Sequence, residues 1–120
     1  MAETFRFLNF KVYTDAKKFY GRIVSITKRF PRDCWELGDQ MRRSSLSVCL
    51  NIAEGSGKNS DKEFNRYLNN SLGSINESVA GVDISFDSKL LTQEENNSLL
   101  KEAKEIADQL GGFSKKLKSS

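Results

Sequence analysis

Apolar residues fall along this chain in four helical stretches separated by short polar breaks. Val12, Ala16, Phe19, Ile23, Ile26 and Phe30 recur at three- and four-residue spacing, which lines one face of a helix and predicts one over about residues 11–29. Phe30-Pro31 stops it, because the residue before proline is pushed out of the α region. A second helix is predicted over 35–54. A third, over 61–86, carries the stripe Phe64, Leu68, Ser71, Ile75, Val79, Val82 and Phe86, with Ser71 a small polar interruption. A break near residues 87–91 precedes a fourth, in which Leu99, Ala103, Ile106, Leu110, Phe113 and Leu117 keep four-three spacing. Ser60-Asp61-Lys62-Glu63 and Thr92-Gln93-Glu94-Glu95 have the form of capping boxes that open the third and fourth helices. Gly55 and Gly57 are read as supplying the backbone freedom to leave the second helix. Phe5, Phe7, Leu8 and Phe10 predict a lead-in, Met1 to Phe10, lying across one bundle end. With no repeat or low-complexity segment, the expectation is an all-α, up-down-up-down antiparallel four-helix bundle, one domain over residues 1–120.

The second helix has more apolar surface than one core needs. Cys34, Leu37, Met41, Val48 and Ile52 share a narrow arc, while Trp35, Leu46, Cys49, Leu50 and Ala53 form another about a third of a turn away. The second arc requires its own cover, either the lead-in or another subunit. Gln40, Ser44, Ser47, Asn51 and Glu54 flank the first arc at four-three spacing. Such a row is either a solvated face or a hydrogen-bonded seam in which small serines admit a neighbouring helix. Glu54 sits in the last turn, where its charge opposes the helix dipole, so it calls for a cationic partner on another helix or subunit.

Composition mainly excludes. The chain has no histidine, which removes Ser-His and Cys-His nucleophile pairs, HExxH zinc sites and the Glu-x-x-His sets of di-iron bundles. No catalytic residue, metal or cofactor is therefore assigned, and an enzyme is not expected. No apolar run reaches the ~20 residues of a membrane span, and residues 1–11 lack the pattern of a secretory signal. Cys34 and Cys49 are read as reduced thiols of a cytoplasmic protein. The net charge of +3 is uneven: residues 1–58 hold eleven Lys/Arg against six Asp/Glu, and residues 59–120 hold eight against ten. A basic half admits a nucleic-acid partner.

Gly55-Ser56-Gly57-Lys58 is not a phosphate loop of the P-loop kind, since Ile52 stands where its first glycine belongs, Asn59 follows the lysine and a helix precedes it. Arg42 or Arg43, with Lys58 and Arg66, are the candidates for a basic patch at this end of the helical hairpin. Otherwise they are surface ion pairs with neighbouring acids, worth ~0–1 kcal/mol each. Lys115, Lys116 and Lys118 read as a solubilising tail that complements the last helix terminus.

Five segments carry a family resemblance: Phe30-Pro31, Gln40-Met41-Arg42-Arg43-Ser44, Asn51-Ile52-Ala53-Glu54-Gly55, Glu63-Phe64 and Ser74-Ile75-Asn76-Glu77. Over about residues 5–80 the chain resembles a bacterial four-helix bundle family that includes proteins encoded in intervening sequences of large-subunit ribosomal RNA. Beyond that the likeness is one of helical pattern, with Asp83, Asp87 and Ser88 where the family is apolar. The resemblance implies a ring, a homopentamer, and makes Gln40, Asn51, Glu54 and Gly55 structural signature positions. A related branch, the accessory proteins of diversity-generating retroelements, implies RNA or DNA binding. The expectation is a non-enzymatic ring that binds nucleic acid, RNA before DNA, through Arg42, Arg43, Lys58 and Arg66. The alternative is a protein-interaction scaffold with no nucleic-acid role, presenting Trp35 or the Phe5–Phe10 segment to its partner.

Overall fold

The computed structural model describes residues 4–119, so Met1–Glu3 of the predicted lead-in lie outside the described residues. A 3-10 turn over Arg6–Asn9 leads into α1, Lys11–Thr27; a second, Arg32–Cys34, leads into α2, Trp35–Ser56. Then come α3, Asp61–Asp87, and α4, Gln93–Ser119. Each helix packs closely on two neighbours, α1 on α2 and α4, and α3 on α2 and α4. This is the square section of an all-α, antiparallel four-helix bundle, drawn out to 48 × 22 × 19 Å.

The stripes meet in one core. Phe19, Ile23, Met41, Val48, Ile52, Phe64, Leu68, Ile75, Val82, Leu99, Ile106 and Leu110 are all buried in it. The end formed by the α1 N-terminus and the α2 C-terminus holds an aromatic cluster, with Phe10, Phe64 and Phe113 at ring-centroid distances of 5.1–6.4 Å. Phe7 packs edge-on against Tyr13, whereas Phe5 and Leu8 stay exposed, so the lead-in covers this end with only part of its apolar surface.

Two termini depart from expectation for physical reasons. α2 continues two residues beyond Glu54, and among the described residues no glycine has positive φ. Gly55 is inside the helix because α3 passes too close for a side chain: a Cβ there would stand 2.7 Å from Tyr67 Cβ and 2.9 Å from Phe64 Cδ1. The left-handed residue is instead Lys89, at φ 64°. The Leu90 amide donates to the Ser85 carbonyl and the Lys89 amide to that of Phe86, a Schellman motif at the end of α3 with lysine where glycine is usual.

Candidate nucleic-acid interface

The polar row on α2 faces α3, and hydroxyls bridge the two helices. Ser44 and Ser78 Oγ are 2.9 Å apart; Ser74 Oγ donates to Ser47 Oγ at 2.9 Å, and Ser71 Oγ to the Val48 carbonyl at 2.9 Å. Asn51 Nδ2 donates to the Ser47 carbonyl and hydroxyl, and Gln40 Nε2 reaches Glu77 at 3.3 Å. Small hydroxyl side chains let the helices approach while satisfying their own donors, usually on a carbonyl one turn back. Glu54 takes no part and is exposed. The charge that offsets the α2 dipole comes from Arg6, whose Nε and Nη2 donate to the Ser56 carbonyl at 3.3 and 3.1 Å while its guanidinium lies 5.3 Å from the Phe64 ring.

The four candidate cations divide into two groups. Arg42 turns toward α1, where Nη1 donates to Thr27 Oγ1 at 2.9 Å, and its Nη2 stands 3.8 Å from Asp39. Arg43 is exposed and pairs with Asp39 at 3.1 Å. Lys58, in the α2–α3 loop, lies over the Tyr67 ring at 5.1 Å, and Arg66 extends along α3 to Glu63 at 3.5 Å. Arg43 and Lys58 are fifteen positions apart, about 20 Å at the helical rise of ~1.5 Å per residue. Lys58 and Arg66 thus share the hairpin end, and Arg42 and Arg43 stand partway down α2. The ion pairs of Arg43 and Arg66 are exposed and weak, which leaves these two cations available to a stronger anion.

The outward face of α2 carries exposed leucines among polar residues. Leu46 is 38% exposed and Leu50 57%, and they line a surface hollow with Arg43, Ser47, Asn51 and Glu54. Cys49, from the same predicted arc, is buried. Trp35, 61% exposed, stands about 16 Å from Leu46 along the helix. It sits beside the α1–α2 connection, apart from those leucines.

The 23S rRNA-intervening sequence protein family model matches residues 8–112. The chain belongs to this family. Among solved structures it is similar to a protein of unknown function from the S23 ribosomal protein family of Bacteroides thetaiotaomicron VPI-5482. The two are 25% identical with a TM-score of 0.81, over 87% of this chain and 95% of that one. No curated protein matches the chain. Membership fits the position of the Gln40–Ser44 and Asn51–Gly55 segments: both lie on α2, the helix whose seam locks α3 in register.

The exposed cations are able to contact anions. Burial pushes the Cys49 thiol up to about 11, so it stays protonated and unreactive at neutral pH. Among the described residues no cluster of three or more Cys, Asp or Glu is placed to hold a metal ion, and no helix is long and apolar enough to cross a membrane. Sequence reasoning missed Arg6, which caps α2 from fifty positions away.

Proposed function

We propose that this protein is a non-enzymatic, ring-forming helical bundle of the cytoplasm that binds nucleic acid, RNA in preference to DNA, through a basic surface. The observation that carries this reading is the outward face of α2, where exposed Leu46 and Leu50 stand beside Arg43. The leucines join subunits and the cations meet phosphate. Nearer the α2 N-terminus, on the flank that faces α3, Leu37, Met41, Gly81 and Ile84 line a hollow of about 380 Å³, with Glu36, Gln40 and Glu77 beside them. Exposed leucines at one place on the surface and a largely apolar hollow at another suit a head-to-tail contact, which closes into a ring, five subunits by the family likeness. Repetition around the ring would multiply the few cations of each chain, Arg42, Arg43, Lys58 and Arg66.

The test is native mass by light scattering, with structured RNA titrated in at low and at physiological salt. The expected result is an oligomer whose RNA affinity falls steeply with salt and weakens on Arg43→Glu and Arg66→Glu together. A monomer, or an oligomer indifferent to RNA at low salt, would overturn it. Exposed Phe5 and Leu8 favour a second reading, a protein-interaction scaffold, which an RNA-indifferent ring would support.

A further inference from the structure

The α1–α2 connection folds over the first turns of α2 and leaves a hollow of about 290 Å³. Its cations are Lys28, Arg32 and Arg42; no carboxylate lines it, and the nearest to Arg42 is Asp39, 3.8 Å from Nη2. Its aromatic wall is Phe30 and Trp35, the only tryptophan in the chain, with most of its indole exposed. The floor is Gly38, a glycine inside a helix, where a Cβ would lie 3.0 Å from Arg42 Nη1 and 3.3 Å from Thr27 Cβ. A helix-interior glycine costs about 1 kcal/mol relative to alanine. Here it makes room for a guanidinium laid against the helix backbone. Thr27 accepts one of that guanidinium's hydrogen bonds and fixes its direction.

We propose that this hollow holds one unpaired nucleotide of a nucleic-acid strand, its base stacked on Trp35 and its phosphate on Arg42, Lys28 and Arg32. The proposal deepens the nucleic-acid reading above and rests on it. Every base has a π-face, so an exposed indole takes bases with little regard to sequence. The Arg32 guanidinium fork matches two phosphate oxygens, while Arg42, held by Thr27, and Lys28 add positive charge. A hollow at the opposite end that holds both cations and aromatics lacks this pairing of features: Phe10 and Phe113 are spent in the aromatic cluster, and Lys11 is bound to Asp15 at 2.7 Å. An unpaired nucleotide fits where a duplex does not, because the indole stands beside a turn and only a splayed base can reach its face.

The experiment follows Trp35 fluorescence, which reports from this hollow alone, while a labelled oligonucleotide reports total binding by anisotropy. The probes are a single-stranded uridine decamer, the same length as duplex, uridine monophosphate, and a phosphoserine peptide. The decamer is expected to quench the tryptophan at the concentration that raises anisotropy. Trp35→Ala should weaken decamer binding about tenfold, Trp35→Phe should restore most of it, and Arg32→Glu should weaken it and lower the salt slope. Gly38→Ala, which crowds Arg42, should weaken the decamer while leaving the circular dichroism of the fold intact. Decamer binding with an unaltered tryptophan signal and an indifferent Trp35→Ala variant would overturn this site and leave the general reading standing. No anisotropy change at low salt would overturn both. Equal affinity for the monophosphate would overturn the strand, and quenching by the phosphopeptide alone would overturn the nucleotide.

Discussion

Replacing Gly55 with alanine tests why the α2–α3 crossing is built as it is. If Gly55 served only to leave the helix, alanine would cost little, since its backbone is helical and alanine is the better helix former by up to ~1 kcal/mol. The geometry says otherwise. The added Cβ would lie 2.7 Å from Tyr67 Cβ and 3.3 Å from the Phe64 carbonyl oxygen, against a preferred carbon–carbon separation of about 3.5–4.0 Å. Tyr67 Cβ is tied to the α3 backbone and no rotamer moves it, so the helices must part by nearly an ångström. Overpacking of that kind costs about 1–3 kcal/mol. Set against a fraction of the propensity gain, the net expectation is a loss of about 1–2 kcal/mol, or roughly 5 °C in melting temperature for a chain of this size. Gly73→Ala is the control, because nothing stands within 4 Å of its Cβ position in the middle of α3, and it should gain up to ~1 kcal/mol. Thermal and urea unfolding at one fixed protein concentration would measure both. A Gly55→Ala variant that melts at or above the parent would refute the crossing argument.

Lys89→Gly should raise stability by about 1 kcal/mol in the same assay, because it removes a left-handed lysine from the Schellman position without touching its hydrogen bonds. Arg6→Met should cost about 1–2 kcal/mol, having lost the cation on the Ser56 carbonyl and over the Phe64 ring; an unchanged urea midpoint would deny Arg6 its capping role. With no histidine, stability should be flat from about pH 5 to 8. Below that it should fall: the Arg29 hydrogen bond to Glu95 and the Lys11 bond to Asp15 hold both carboxyls under their ordinary values. Their contribution is present above the unfolded carboxylate range and is lost as acid protonates them. On the alkaline side Cys49, at about 11, holds its proton where the unfolded chain gives it up, so stability should drop from about pH 9 upward. Cys49→Ala should flatten that part of the urea-midpoint profile.

The helices and their inward faces were legible because spacing along one helix is a local property. Val12 through Ile26, the Phe64 to Val82 stripe and Leu99 through Leu110 needed only the 3.6-residue repeat to be placed. The row from Gln40 to Asn51 was visible as a row, though spacing alone left open whether water or α3 faced it. What stayed hidden depends on contact between distant segments. Nothing near Gly55 announces that Tyr67 crosses over it, and nothing near Ser56 announces Arg6. The candidate cations show the same limit. Arg42 and Lys58 both belong to one hairpin by sequence, yet a straight helix holds them far apart, and α1 draws Arg42 toward Thr27. The hollow around Gly38 needed Phe30, Trp35 and Arg42 to be seen together.

The hydroxyl seam between α2 and α3 has a consequence for how the molecule assembles. Its partners all lie within the contiguous stretch 35–87, and only residues 57–60 separate the helices, so bringing them together restricts little of the chain. Loose, greasy contacts between leucines tolerate sliding by a turn; paired hydroxyls and close-set glycine do not. The hairpin is therefore a natural first piece to form, already in its final alignment, with α1 and α4 laid down afterwards along its flank. Backbone amides in the middle of α2 and α3 should then be the last to exchange with solvent deuterium, and those of α1 should exchange sooner.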